Sequence, residues 1–148
     1  MKIGFACKYV HDQPLKKKDL EAVLIKYNTK ATTHTWLKKQ SSKVAENKLL
    51  EVLEHNLASL DLIVDYVGRL EPTLRMYRIS SDICPLYTHP DWKFFWQSKE
   101  IQQRLEQSFQ ELGSKIRESG VRVSFHPAQF TILASEKPDV VDRSIEEF

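Results

Sequence analysis

The hydrophobic positions of the chain switch repeatedly between the two-residue period of a strand and the 3.6-residue period of a helix. The order is strand, helix, strand, helix, strand, helix, which is typical of a parallel sheet with helices packed outside it. The stretch 10–40 shows neither period and is predicted to be a long irregular segment. The predicted strands span 2–7, 74–79 and 121–125, and the predicted helices span about 42–68, 99–119 and 138–148.

Each predicted helix has an apolar stripe and recognisable ends. Gly68 and Pro72 end the first helix, because proline lacks an N–H and restricts the residue before it. Gly120 follows the second helix where a left-handed residue is favoured, and Pro138 suits the first turn of the third. The first stripe consists of Leu50, Leu53, Leu57, Leu60, Val64 and Val67, and the second of Ile101, Leu105, Phe109, Leu112 and Ile116.

The number of strand and helix pairs predicts only part of a larger fold. A complete (β/α)8 barrel needs about 250 residues, and this chain of 148 residues holds three βα units. We therefore predict a partial TIM (β/α)8 barrel, with residues 1–148 as the truncated N-terminal portion of a single domain. The alternative is a small doubly wound domain, which would leave two parallel edges exposed. An open partial barrel would also expose an apolar wall, so we expect self-association.

The composition is that of a folded, soluble protein, since 41% of the residues are hydrophobic and 28% are charged. No apolar run is long enough to cross a bilayer, and no signal peptide is recognisable at the start. Cys7 and Cys84 lack a metal-binding spacing. We expect a cytoplasmic protein with reduced cysteines and no membrane partner.

The charge is distributed unevenly along the chain. Residues 1–48 carry 11 lysines and 4 acidic residues, a net charge of +7, whereas residues 49–148 carry a net charge of −5. Clustered cations attract polyanions and release counterions on binding, so the lysine-rich first third is a candidate for contact with phosphates. The alternative is an ordinary solvated surface.

Candidate chemistry follows the predicted strands, because ligands of parallel α/β folds bind at the loops after the carboxyl ends of strands. Lys8 and Tyr9 follow the first strand, and His89 lies beyond the second. His126 ends the third strand, where neutral imidazole suits a zinc or manganese ligand or a general base. The alternatives are a hydrogen-bonding cap for His126 and a surface position for His89. The sequence has no Walker A, GxGxxG, HExxH or GxSxG motif.

Gln129 and Phe130 directly follow the His-Pro pair at 126–127. An amide beside an aromatic ring can fill the gap in a base stack when a nucleotide is extruded, and wedges of this kind are used by proteins that distort DNA. The alternative is that Phe130 packs in the core and Gln129 faces solvent.

Several short motifs occur together in a characteristic order. They are RISSD at 78–82, HP at 89–90 and FHPAQF at 125–130, with IGFAC at 3–7, TTHTWL at 32–37 and PDVVDRS at 138–144. As an ordered set, they resemble the UV damage endonuclease family over almost all of the chain. The resemblance implies a TIM-barrel DNA repair enzyme, similar in architecture to endonuclease IV, that acts on UV-damaged double-stranded DNA. It also implies incision immediately 5′ to UV photoproducts by a divalent metal cluster, with Mn²⁺ expected and Zn²⁺ or Mg²⁺ as alternatives.

The same resemblance assigns roles to individual residues. His126 matches a metal-ligating histidine, and His89 matches a histidine at the rim of the active site, which gives it a catalytic role. Gln129 and Phe130 match the pair that probes the base stack at the lesion. The family often has tyrosine at the second position of this pair, and phenylalanine keeps the stacking plane while losing the hydroxyl.

The chain departs from the family pattern in two respects. Lys8 and Tyr9 lie in the loop that the resemblance places near the damaged nucleotides, but family members often carry Asn at the position of Tyr9. The family's remaining metal ligands come from later strands, so we expect the chain to be inactive alone unless a second fragment completes the cluster. Two alternatives are a DNA-binding remnant without catalysis and a metal-dependent TIM-barrel sugar isomerase. The pair Gln129-Phe130 and the lysine-rich first third suit DNA better than a small sugar.

Overall fold

A computed structural model describes residues 2–127 and 131–147. The two long predicted helices are confirmed, and the strands and helices alternate as the sequence predicts. The elements are β1 (Phe5–Ala6), α1 (Lys17–Tyr27), α2 (His34–Leu37), α3 (Ser42–Gly68), β2 (Met76–Ser80), α4 (Lys93–Trp96), α5 (Lys99–Ser119), β3 (Arg122–His126) and α6 (Pro138–Glu147). Short 3-10 helices lie at Pro72–Leu74, Ser81–Ile83 and Pro90–Trp92.

The three strands form one parallel sheet in the order β1-β2-β3. The register pairs Ser80 with His126, so β2 and β3 end side by side at the same edge. The chain just before β1 approaches β2 so closely that only glycine fits at Gly4, since a Cβ there would lie 1.9 Å from the carbonyl oxygen of Met76. The loops after β2 and β3 therefore leave the sheet close together.

The two faces of the sheet differ in character. Tyr77 and Ile79 of β2 pack with the helices in a hydrophobic cluster. Because side chains alternate along a strand, Arg78 lies on the opposite face, and the register places Ser124 beside it and His126 beside Ser80. Met76 shares this face, but Arg78, Ser80, Ser124 and His126 make the face away from the helices mostly polar. The prediction of an apolar wall is wrong for β2 and β3.

Helix α3 is longer than the sheet and extends beyond it. Its last residue, Gly68, lies beside Val121, which immediately precedes β3, so α3 runs antiparallel to the strands. Near its middle, the fully buried Asn56 donates a hydrogen bond to the carbonyl oxygen of Asp82, just past the end of β2. Residues 42–55 therefore lie beyond the carboxyl edge of the sheet, over a length of about 20 Å at about 1.5 Å per residue.

The hydrophobic core forms two clusters along α3. The sheet cluster lies where α3 and α5 pack on the strands, and its buried members are Leu60, Ile63, Val64, Val67, Tyr77, Ile83, Leu112 and Val121. The edge cluster surrounds the projecting part of α3, and its buried members are Leu37, Ala45, Leu49, Leu53, Trp92, Phe95, Trp96, Ile101 and Leu105. The edge cluster fixes α2 and α4 above the carboxyl edge of the sheet.

Several details differ from the sequence prediction. The stretch 10–40 contains α1 and α2. α1 carries a short stripe of half-buried residues at helical spacing, Leu20, Val23, Leu24 and Tyr27, which the prediction of an irregular segment overlooked, and α2 has only four residues. β1 has only two residues, and β2 and β3 begin one or two residues later than predicted. Phe109 is 40% exposed rather than buried in the stripe of α5. Gly120 has the predicted left-handed conformation, with φ of 65°.

Candidate functional site

His126 occupies the last position of β3, at the carboxyl edge of the sheet, with its side chain exposed. Its Nδ1 lies 2.9 Å from the carbonyl oxygen of Pro127. Because a carbonyl oxygen only accepts hydrogen bonds, Nδ1 carries the proton of the neutral ring and Nε2 keeps its lone pair. A backbone carbonyl that fixes the tautomer in this way is the usual second partner of a metal-ligating histidine.

His89 is held in the opposite tautomer. It caps the 3-10 helix Pro90–Trp92, and its Nδ1 accepts a hydrogen bond of 3.2 Å from the backbone N–H of Asp91. The proton of the neutral ring must therefore sit on Nε2, which makes His89 a hydrogen-bond donor. The two predicted histidines differ in what each offers to a substrate: a lone pair from His126 and an N–H from His89.

Two further residues join His89 at this edge. The ring of His34 stacks on that of His89, with centroids 4.2 Å apart, and His34 Nε2 lies 2.8 Å from a carboxylate oxygen of Asp91. The hydrogen bond from His34 lowers the pKa of the Asp91 carboxyl, and the charge of Lys38 acts in the same direction. The cap, the stack and the hydrogen bond between His34 and Asp91 hold the plane of the His89 ring.

Among the described residues, His34, His89 and Asp91 form the single group of three metal-ligating side chains, with their ligand atoms within 4.8 Å of one another. His126 does not belong to this group. Only His89 of this group is a candidate from the sequence alone. His34 and Asp91 are 57 residues apart in the chain, and α2, which carries His34, is too short to show a helical period.

The two residues of the loop after β1 that are predicted to contact DNA differ in exposure. Cys7 has a φ of 62°, which turns the chain sharply and leaves the side chain of Lys8 exposed. Tyr9 is instead 7% exposed and stacks on Tyr27 at 4.6 Å. Burial, followed by the neighbouring tyrosines, raises its pKa. The burial of Tyr9 disagrees with a direct contact to DNA and gives its ring a structural role in this loop.

Gln129 and Phe130 lie outside the described residues. The chain just after them is tied to α6, because the backbone N–H of Ile132 donates a hydrogen bond of 2.8 Å to the Ser144 hydroxyl.

A groove lies beside this edge, between the loop after β2 and α5. Its apolar wall includes Cys84, Phe109 and Phe125, which accounts for the exposure of Phe109. Burial raises the pKa of the Cys84 thiol to about 12. Cys84 is therefore a neutral thiol at physiological pH, with no nucleophilic role.

A family model described as UV-endonuclease UvdE matches residues 1–148. The chain belongs to the UvdE family. It is 34% identical over 116 residues to the UV DNA damage endonuclease of Bacillus cereus (strain B4264), an alignment that covers 78% of this chain and 34% of that protein. The UV DNA damage endonuclease of Bacillus anthracis gives the same identity and coverage.

The structure also resembles a solved member of the UvdE family. The crystal structure of SacUVDE matches with a TM-score of 0.67 and 25% sequence identity, covering 99% of this chain and 42% of that chain. The predicted family resemblance is confirmed, as is a parallel sheet with packed helices. This UvdE chain spans about a third of the length of the curated relatives it matches. No helix in residues 2–127 and 131–147 combines the length and apolar character needed to cross a membrane.

Proposed function

We propose that this UvdE chain forms part of an endonuclease that incises DNA immediately 5′ to UV photoproducts. The observation that supports the proposal best is the state of His126, which ends β3 at the carboxyl edge with an exposed ring and a lone pair on Nε2. Family membership supplies the substrate class, since the curated relatives are UV DNA damage endonucleases. Family membership gives no comparable support to the alternative function of a metal-dependent sugar isomerase.

His126 is the residue proposed to hold a divalent ion, with Mn²⁺ favoured over Zn²⁺ or Mg²⁺. Its ring fits this role, because Nδ1 is occupied by the Pro127 carbonyl and Nε2 is available. A bound divalent ion polarises a phosphoryl oxygen and lowers the pKa of water. In the described part of the chain, His126 is not in a group of three ligand side chains, so the remaining ligands would come from a second polypeptide segment.

His89 is the proposed catalytic residue. With Nδ1 engaged by the Asp91 N–H, its Nε2–H would donate a hydrogen bond to a phosphate oxygen and stabilise the charge that develops there during incision. His34 and Asp91 act as positioning residues, because their stack and hydrogen bond restrict rotation of the ring. The proton is thus held at one defined atom.

Recognition of the lesion is assigned to three further residues. The ammonium of Lys8, which is exposed in the loop after β1, would contact a phosphate near the damage. Gln129 and Phe130 follow His126 by three and four positions and would fill the base stack from which the damaged nucleotides are displaced. The substrate is UV-damaged double-stranded DNA.

The proposed function is tested with UV-irradiated supercoiled plasmid and Mn²⁺, using unirradiated plasmid as the reference. The 148-residue chain is assayed alone and mixed with the C-terminal part of a UvdE relative. We expect damage-dependent nicking only in the mixture. His126→Ala should reduce the nicking rate by at least about 100-fold, as expected for loss of a metal ligand.

His55→Gln is the matched control, since His55 lies on α3 and hydrogen-bonds the carbonyl oxygen of Asn28, a contact that glutamine can retain. This variant should nick at the wild-type rate. Nicking by the chain alone would contradict the need for a second segment. Salt-sensitive DNA binding without nicking in any mixture would instead support the DNA-binding remnant, for which the lysine-rich first third is the favouring observation.

A further inference from the structure

The part of the chain that projects beyond the carboxyl edge of the sheet carries a cluster of lysines. Lys38 and Lys39 follow α2, and Lys43 lies in the first turn of α3. All three side chains are exposed. The first turn of α3 contains no acidic residue to offset them. These lysines lie on the same side of the molecule as the loops that carry His89 and His126.

These lysines have no ion-pair partner among the described residues, whereas several cations of the acidic part of the chain do have one. Lys93 pairs with Glu146 and Lys115 pairs with Asp61, in the part of the sequence with net negative charge. Cations that protein carboxylates do not neutralise remain available to an external polyanion.

Trp36 adds an aromatic group to the same surface. Its side chain is 42% exposed, whereas the adjacent Leu37 is 1% exposed and packs in the edge cluster. Thr33 caps α2 through a hydrogen bond from the backbone N–H of Trp36 to its hydroxyl. This capped turn therefore buries Leu37 in the edge cluster and leaves the indole ring of Trp36 exposed on an ordered backbone.

The lysine surface is continuous with the candidate site. Lys38 directly follows α2 and its backbone N–H donates to the carbonyl oxygen of His34, and His34 in turn contacts Asp91 and stacks on His89. The segment of a DNA duplex that flanks the site would therefore contact this surface.

We propose that Trp36, Lys38, Lys39 and Lys43, the α2 surface, bind the sugar-phosphate backbone of DNA that flanks the site. This inference rests on the proposed function, and it adds a contact that does not depend on damage. The three ammonium groups would neutralise phosphates, and the indole ring would pack on a sugar or an unstacked base. The surface carries several cations and a single exposed aromatic ring, a combination that suits a nucleic-acid backbone better than an apolar protein partner.

The test measures binding of the 148-residue chain to an undamaged duplex by fluorescence anisotropy at several salt concentrations. The triple variant Lys38→Ala, Lys39→Ala, Lys43→Ala should weaken binding by at least about tenfold at low salt. The slope of log K against log salt should become shallower by about 2 to 3, because each phosphate contact contributes about 0.9. Trp36→Ala should weaken binding several-fold with little change of slope, and Trp36→Phe should retain most of the affinity.

The matched control is Arg69→Ala, Arg117→Ala, Arg122→Ala, which removes the same charge from exposed positions at the opposite, amino edge of the sheet. If both triple variants lose the same affinity, net charge is the cause and the α2 surface is excluded. Unchanged binding by the Lys38, Lys39 and Lys43 variant also excludes it. Circular dichroism establishes that each variant is folded. Because undamaged DNA is used, failure here would leave damage-dependent nicking and its dependence on His126 unaffected.

Discussion

At the scale of single residues, His126 and His89 differ in which ring nitrogen carries the proton, and this difference gives them different chemical roles. The Pro127 carbonyl fixes the proton of His126 on Nδ1, while the Asp91 N–H excludes it from Nδ1 of His89. The sequence analysis placed both histidines at the correct edge of the sheet. It had no means of assigning the tautomers, since these depend on backbone groups positioned by the fold.

Tyr77 gives a prediction at this scale. Its side chain is 2% exposed, and its hydroxyl donates a hydrogen bond of 3.1 Å to the carbonyl oxygen of Cys7. Tyr77→Phe should lower the free energy of unfolding by about 1 kcal/mol at pH 8, which is typical for loss of one hydrogen bond. Urea unfolding of the two proteins measures this difference.

The same residue predicts a pH dependence. Burial raises the pKa of Tyr77 to about 12, above the value of about 10 for an exposed tyrosine. The neutral phenol therefore stabilises the fold fully below about pH 10, and this contribution is lost as the pH rises toward 12. The stability difference between wild type and Tyr77→Phe should shrink between pH 8 and pH 11. A constant difference would show that the pKa of Tyr77 is the same in the folded and unfolded states.

At the scale of elements, the parts that bury a regular stripe were predictable and the others were not. The stripes of α3 and α5 repeat over many turns, so the bounds of both helices follow from the sequence. α1 carries only a short, half-buried stripe at helical spacing, Leu20, Val23, Leu24 and Tyr27. α2 has four residues and a single buried side chain, Leu37, so it leaves no periodic pattern. His34 and Trp36 were not identified as functional candidates for this reason, because both lie on α2.

A pair of glycines tests the packing of these elements. Gly4→Ala should destabilise the protein by about 2 kcal/mol or more, because its Cβ would overlap the backbone carbonyl of Met76 and β1 would have to move away from β2. Gly113→Ala should stabilise it by about 0.5–1 kcal/mol, since this glycine lies inside α5 and its Cβ would meet only the flexible end of Arg117. Thermal or urea unfolding measures both changes. A neutral Gly4→Ala would contradict the tight approach of β1 to β2.

At the scale of the whole molecule, the lysine-rich first third contributes an exposed basic surface near the candidate site. In the acidic part of the chain, some cations are held in ion pairs, such as Arg104 with Glu54 on α3. The lysines of the α2 surface have no such partner among the described residues, and they stay exposed on the side that carries His89 and His126. The order of the motifs in the sequence was sufficient to predict the UvdE family, which the comparison over residues 1–148 confirms.

The proposal that this chain contributes to the recognition of UV damage in DNA is tested most directly by one binding measurement. The 148-residue chain is titrated, with Mn²⁺ present, against a duplex that contains one pyrimidine dimer and against the same duplex without it. We predict about tenfold tighter binding to the damaged duplex, as expected when an aromatic ring replaces lost stacking. The double variant Gln129→Ala, Phe130→Ala should lose this preference, whereas the triple lysine variant of the α2 surface should weaken both affinities and keep their ratio. Equal affinity of the wild-type chain for the two duplexes would contradict the proposal.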